Sequence, residues 1–312
     1  MLRIIFLGTG PFAVPSLRAL YSTRREMVCA VSRPPRGRRA QPAPVTVAAK
    51  ELGIDTWTPE TVNSDESREK LTAMHADLLV VCDYGEILKP PTLAVSRLGG
   101  INLHGSLLPK YRGAAPVQWA VLNGDAETGN TVIQMTPGLD AGPCLGIQRI
   151  AIDPDETAGE LEARMAELGA ELVPQVVDQL ESGTSQPLEQ DKTQATKAPR
   201  LTKEHGQIDW SRSAKEIKNQ VRALQPWPRA YTSWECPERK AMRLIVHQAA
   251  IADTTLAEDA APGTVLSVDT ELLVVTGNGV LSLRQVQPAG KRTMTAGEFL
   301  RGYPVQVGHM LE

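Results

Sequence analysis

A mostly parallel α/β sheet domain followed by a small antiparallel β-barrel is the architecture that this 312-residue chain predicts. Three observations point to it. Strand, glycine turn, helix and strand follow one another within residues 2–31, and the alternation continues to about residue 183. Residues 184–200 are polar and carry no period. Five short β-like segments, separated by turn signals, then crowd into residues 229–286.

Residues 2–7, Leu-Arg-Ile-Ile-Phe-Leu, read as a buried strand, because an Ile-Ile-Phe run suits a sheet covered on both faces. Gly8-Thr9-Gly10 permits a tight turn. Pro11 suits the first turn of a helix that sets Phe12, Leu17 and Leu20 against the sheet. Residues 27–31 supply the next strand. Helices are expected at 44–52, 64–74 and 89–97, with a buried strand at 78–82 and a short one at 100–103. A helix at 115–122 stops at Asn123-Gly124, and extended segments follow at 130–135 and 145–152. Thr157 and Glu160 form a capping box, after which Leu161, Met165, Leu168 and Leu172 share one helical face. This alternation describes a Rossmann-like, mostly parallel sheet.

Ser213 and Glu216 make a second capping box, with Ile217, Val221 and Leu224 on the apolar face and Lys215, Lys218 and Arg222 off it. Strands are expected at 229–234, 242–250, 263–268, 271–276 and 280–286, with Thr276-Gly-Asn278-Gly279 as a tight hairpin. Such spacing suits an OB-like barrel. The expected organisation is a parallel-sheet domain at 1–185, a linker at 186–204 and a barrel domain at 205–312.

Composition narrows the function classes. Hydrophobic residues are 42% and aromatics only 4%, so the core rests on Leu, Val, Ile and Ala. The net charge of −3 excludes a general basic coat for nucleic acid but permits a local patch. No window reaches the roughly 18 apolar residues of a membrane span. The apolar run after Arg3 ends at Gly8, short of the roughly 7–15 residues of an export signal core. The cysteines at 29, 82, 144 and 236 form no CxxC pair and read as free thiols, so the expected compartment is the cytoplasm. No Gly-x-Ser-x-Gly, HExxH or P-loop motif is present.

Four features carry possible chemistry. Gly8-x-Gly10-x-x-Ala13 matches a dinucleotide fingerprint, but Ser32 and Arg33 stand where the ribose-binding acid belongs, and the glycines equally serve a tight turn. In Gly99–Pro116, Asn102 and His104 alternate with Ile101 and Leu103, so the amide and the imidazole share one side of a strand. His104 then lies at the carboxyl end, where open α/β sheets bind ligands. An amide donor beside a proton carrier suits oxyanion chemistry, and a structural histidine fits as well. Asp140, within Gly138–Gly142, either orients His104 or bonds its own turn. The segment 33–39 carries four arginines with no acidic residue between Glu26 and Glu51, either as a solvated turn or as a phosphate contact. His75, His205, His247 and His309 show no partner pattern.

Residues 102–109, Asn-Leu-His-Gly-Ser-Leu-Leu-Pro, together with Leu139-Asp140-Ala-Gly142, resemble the active-site signature of the folate-dependent formyltransferases. The resemblance implies a catalytic set of Asn102, His104 and Asp140. It implies a folate site lined by Ser106, Leu107, Leu108 and Pro109 and by the loop with Tyr84, Gly85, Ile87 and Leu88. His104-Gly105 followed by Arg112-Gly-Ala-Ala-Pro116 is most similar to the branch acting on methionyl-tRNA. Residues 124–129, 208–210, 226–228 and 287–292 are similar to further stretches of that branch.

That likeness implies formyl transfer from 10-formyltetrahydrofolate to initiator methionyl-tRNA, without a metal or a covalent intermediate; a monomer is the expected state. It also implies tRNA binding by the barrel domain. Candidate tRNA contacts are Arg36, Arg38 and Arg39 in the arginine loop, and Lys215, Lys218 and Arg222. The alternatives are a sugar-nucleotide formyltransferase, a 10-formyltetrahydrofolate hydrolase, or a non-catalytic tRNA-binding protein. The chain departs from the family pattern at Gly10-Pro11, where Pro-Asp is common, at Asp83, where a small residue is usual, and in a shorter arginine loop.

Overall fold

Every residue of the first strand beyond Arg3 is buried, as its unbroken apolar run requires of a sheet covered on both faces. The computed structural model describes residues 1–312 except 38–39, 236–240, 255–259 and 270. In chain order the first elements are β1 (Arg3–Gly8), α1 (Val14–Tyr21), β2 (Glu26–Val31), α2 (Pro44–Glu51), β3 (Thr56–Trp57), α3 (Asp65–Ala73) and β4 (Leu78–Cys82). Then come α4 (Pro90–Leu93), β5 (Gly100–His104), β6 (Arg112–Gly113), α5 (Pro116–Leu122), β7 (Glu127–Gln134), β8 (Cys144–Ala151), α6 (Ala158–Ser182) and β9 (Lys197–Ala198). The remainder are α7 (Ala214–Ala223), β10 (Ala230–Trp234), β11 (Met242–Ala252), β12 (Val265–Ser267), β13 (Leu272–Val275), β14 (Val280–Pro288), β15 (Met294–Thr295) and α8 (Ala296–Gly302).

The chain divides into two compact units. The first comprises Met1–Val117, Glu127–Ala151 and Leu161–Pro199. The second comprises Gln118–Ala126, Ile152–Glu160 and Arg200–Glu312, so two segments expected in the first domain group with the barrel. In the first unit a seven-stranded sheet runs β3-β2-β1-β4-β5-β7-β8. Strands β1 to β5 are parallel, while β7 and β8 are antiparallel additions at one side. Ile5, Leu7, Leu79 and Val81 pack on Leu71 of α3 on one face. On the other face, Leu103 comes so close to Gly169 of α6 that a Cβ there would meet its side chain at 2.5 Å.

The helix expected at 89–97 is a single turn, α4. Tertiary partners take the backbone beyond it. Leu98 N donates to Asp77 O at 3.0 Å, and Ser96 Oγ donates to Gly99 O at 2.6 Å. The two-residue strands β3, β6 and β9 are additions that no run of apolar residues announces. Leu188, inside the stretch expected as linker, exchanges both backbone hydrogen bonds with Cys144 at 2.8 Å, and β9 pairs in parallel with β6.

The second unit is built on an antiparallel sheet ordered β10-β11-β14-β13-β12, with β15 paired to β14. The C-terminal residues close its open ends. Ser233 and Glu312 exchange backbone bonds at 2.7 and 2.8 Å, while Val265 N donates to His309 O at 2.8 Å and Leu311 N to Gly263 O at 2.9 Å. The tail thus lies between β10 and β12 and completes the barrel. Its core joins Ile217 and Val221 of α7, with the predicted capping box in place, to Val246, Leu281, Trp234 and Phe299.

Candidate active site

In the first unit the strand order reverses between β1 and β4, and the carboxyl ends of β1, β4 and β5 lie side by side. Thr9 N donates to Asp83 O at 3.0 Å across the reversal. An open α/β sheet presents its ligand crevice at such a point. His104 ends β5 there and is 6% exposed. Its Nε2 lies 2.9 Å from Tyr111 O, and because a carbonyl only accepts, that contact assigns the proton to Nε2. Nδ1 is left facing Asp140, whose Oδ2 is 3.8 Å away. That separation suits charge attraction but exceeds a hydrogen bond, so Tyr111, not Asp140, holds the ring directly.

Asp140 has φ of +47°, an uncommon conformation for a residue with a side chain. Its Oδ2 accepts from Gly113 N at 2.9 Å. Gly113 itself has φ of +127°, and a Cβ there would stand 2.6 Å from Ala198 O, so only glycine presents its amide this way. Asn102 is half-buried on the same side of β5 as His104, and its side chain makes no hydrogen bond among the described residues. Asn102, His104 and Asp140 are thus all in the first unit, two on one strand and the third within ion-pair distance of the second.

The 106–109 segment is tightly tied. Ser106 is buried, and its hydroxyl donates to Lys110 O at 2.7 Å. Thr131 Oγ1 donates to Ser106 O at 2.7 Å and accepts from Leu108 N at 3.2 Å. Leu108 packs with Ile133 and Cys144, whereas Leu107 and Pro109 are half-buried. In the 84–88 loop, Tyr84 and Leu88 belong to the buried core, Gly85 is exposed and Ile87 is 64% exposed. Burial pushes the Tyr84 phenol up to about 12. Glu86 anchors this loop by accepting from Arg33 Nη1 at 2.6 Å, Asn63 Nδ2 at 2.9 Å and the Thr61 hydroxyl. Arg33 is therefore committed to Glu86 and to the Glu60 carbonyl.

Two carboxylates are unusually basic. Asp83 has an exposed side, yet the atoms crowded around its carboxyl lift it by desolvation to about 6 against a backbone hydrogen bond from Gly10. Glu162 is raised to about 7, first by burial and then by the charge of Asp83.

Of the expected tRNA contacts, Arg36 is exposed, and Arg38 and Arg39 lie outside the described residues. Lys215 is exposed on α7, while Lys218 Nζ pairs with Asp155 Oδ1 at 2.5 Å. Arg222 is buried. Its Nε donates to Asn219 Oδ1 at 3.0 Å and its Nη1 to the carbonyls of Asp153 and Glu156 at 3.2 Å. The expectation that Arg222 reaches a phosphate is therefore corrected: helical period set it off the apolar face, but the 153–156 turn covers it. Gln190 and the Tyr111 carbonyl are site groups that residue type did not reveal. Gln190 sits in an aperiodic polar stretch, and a main-chain carbonyl leaves no mark in a sequence.

Residues 2–177 match the family model described as Formyl transferase, and residues 200–304 match that described as Formyl transferase, C-terminal domain. The chain is 44% identical over 306 residues to the methionyl-tRNA formyltransferase of Desulfotalea psychrophila, covering 96% of this chain and 93% of that one. It is 41% identical over 324 residues to the methionyl-tRNA formyltransferase of Rhodopirellula baltica, covering 99% and 96%. Among solved structures, the sugar 3N-formyl transferase WlaRD superposes with a TM-score of 0.68 at 17% identity, over 94% of this chain and 99% of that one, a likeness of fold.

Proposed function

The chain belongs to the formyl transferase family, and from that membership and the geometry of its site we propose that it transfers a formyl group from 10-formyltetrahydrofolate to the free amino group of initiator methionyl-tRNA. The observation that carries the chemistry is the His104 ring fixed through Nε2 on Tyr111 O, with Nδ1 turned toward Asp140 and the Asn102 amide, unpartnered among the described residues, on the same side.

The reaction forms one N–C bond and breaks another. The neutral amine attacks the formyl carbonyl, and negative charge gathers on its oxygen. Asn102 Nδ2 and a protonated His104 Nδ1 are the donors for that charge. The tetrahedral intermediate collapses with loss of the N10–C bond. One proton leaves the amine and one arrives at N10 of the departing tetrahydrofolate, so the enzyme ends as it began. Asp140, whose Oδ2 lies 3.8 Å from His104 Nδ1, takes the amine proton. The formyl group passes from donor to acceptor directly, and the Ser106 hydroxyl, which donates to Lys110 O, serves to hold its own loop.

Exposed Ile87 and Leu139 and half-buried Leu107 offer apolar surface at this edge for the folate, with Gly85 and Pro109 giving close approach, and Tyr84, Ser106, Leu108 and Leu88 supporting from beneath. No metal enters this scheme. Arg36, its neighbours Arg38 and Arg39, and Lys215 are the cations we assign to the tRNA.

The test is formyl transfer from 10-formyltetrahydrofolate to charged initiator tRNA, with uncharged tRNA, an amino-sugar nucleotide and water as competing acceptors. Formylmethionyl-tRNA is the expected product, and His104→Ala should reduce kcat by about 10²–10³. Turnover of the amino sugar or of water, with none of methionyl-tRNA, would overturn the assignment.

A further inference from the structure

Gln190 is 9% exposed and occupies the stretch whose polar texture suggests a linker. A side-chain amide has two N–H donors and two acceptor positions, and Gln190 uses all four. Nε2 donates to Asp140 O at 2.8 Å and to Gly142 O at 2.7 Å. Oε1 accepts from Arg112 Nε at 3.2 Å and from Arg112 Nη2 at 2.6 Å. No step of the chemistry above employs this side chain.

We propose that Gln190 is a positioning residue for the reaction, holding the Asp140 carboxylate against the Gly113 amide and toward His104, an inference that rests on Asp140 acting as proposed above. Arg112 immediately precedes Gly113, whose N–H is the partner of Asp140 Oδ2. Gln190 therefore grips the acceptor residue by its own carbonyl and the donor residue through its neighbour's guanidinium. One buried amide fixes the two halves of that hydrogen bond relative to each other. Asp140 needs such support. Its φ of +47° is costly for a non-glycine residue and persists only where surrounding contacts over-determine it.

The segment around Gln190 reinforces the same loops. Thr196 Oγ1 accepts from Tyr111 N at 2.8 Å, and Thr196 O accepts from Arg112 N at 2.9 Å. Tyr111 is the residue whose carbonyl holds the His104 ring. Both partners of the imidazole are thus braced from residues 190–196. Gln190 is the contact there that reaches Asp140 itself.

The experiment separates this role from packing. Gln190→Glu keeps the size and the acceptor for Arg112, but removes both donors and sets a carboxylate oxygen against the carbonyls of Asp140 and Gly142. Gln190→Ala removes all four bonds. Both variants, alone and combined with Asp140→Asn, are assayed for formyl transfer to methionyl-tRNA, with kcat and KM determined separately and folding checked by thermal unfolding. Each single variant should lose about 10–100-fold in kcat, as small misplacements of a catalytic group do, with KM for both substrates little changed. On the Asp140→Asn background either substitution should cost almost nothing further, because residues acting as a unit are non-additive.

Parental kcat in a folded Gln190→Glu enzyme would overturn the inference, leaving Gln190 as a support for Arg112 alone. A full additional loss on the Asp140→Asn background would overturn it equally. Should Gln190→Ala fail to fold, Gln190→Glu decides. If Asp140→Asn alone turns over at the parental rate, the role given to Asp140 is what fails, and the inference falls with it.

Discussion

Gly113 donates its amide to Asp140 Oδ2 at 2.9 Å, and that bond turns the carboxylate toward the imidazole of His104. The donor is main chain, held by β6 pairing with β9, so a backbone conformation sets where the carboxylate lies. The consequence is testable at Gly113 itself. Alanine there would need φ near +127° and would bring its Cβ to 2.6 Å from Ala198 O. We expect Gly113→Ala to shift the strand pair and lower kcat by about 10² through displacement of Asp140. Folate affinity, read by binding titration, should change far less. A Gly113→Ala enzyme with unchanged turnover would mean that Asp140 needs no anchor.

The placement of Asn102 and His104 was legible because strand alternation and the strand-end rule depend on nearest neighbours. The loop carrying Asp140 was legible as a glycine-rich turn. Its hydrogen bond to Gly113 was not, since the partners are 27 residues apart and one is main chain. Gln190 was illegible for a related reason: an amide in an aperiodic stretch looks the same whether solvated or fully bonded. Arg222 shows the reverse error. Its charge and helical phase suggested solvent, and only the turn at 153–156 removes it from solvent. Five strands of the barrel could be read from alternation, but the tail at 309–312 that closes it is too short to carry a pattern.

Glu162 at about 7 and Asp83 at about 6 make stability depend on pH in a definite direction. Their ordinary values are 4.5 and 3.8, so between those values and the raised ones the folded chain holds protons that the unfolded chain has released. Stability then falls as pH rises through that window, and the penalty is complete above the folded values and absent below the unfolded ones. Glu162→Gln removes the more strongly raised of these groups. Its melting temperature relative to the parent should climb by roughly 2–4 °C between pH 5 and pH 8. A difference that does not vary with pH would show that the two carboxylates titrate ordinarily.

Arg36 and Arg222 should separate in their response to salt. Arg36 is exposed and unpaired among the described residues, whereas Arg222 is buried on two carbonyls and an amide oxygen. Arg36→Ala should reduce the salt slope of tRNA binding by about 0.7, the share of one contact to single-stranded RNA, and leave stability unchanged. Arg222→Ala should leave the slope intact and destabilise by about 1–3 kcal/mol, because the Asp153 and Glu156 carbonyls lose their donor. A reduced slope in Arg222→Ala without loss of stability would return that residue to the RNA surface.

The C-terminal tail should be required for the barrel to persist. Without residues 309–312, β10 and β12 become open edges, and the backbone groups of Ser233, Gly263 and Val265 lose their partners. Leu311 is buried in the barrel core, and the His309 ring stacks on Trp234 with centroids 5.9 Å apart while Nδ1 accepts from Trp234 Nε1 at 3.3 Å. Leu311→Ala keeps the backbone pairing and deletes only core volume, so it should cost about 2–5 kcal/mol. Deleting 309–312 removes both, so it should destabilise more and promote association through the exposed edges. Thermal unfolding followed by tryptophan fluorescence, with light scattering for association, reads both effects. If the truncated chain melts at the parental temperature and stays dispersed, the tail merely lies on a barrel that closes without it.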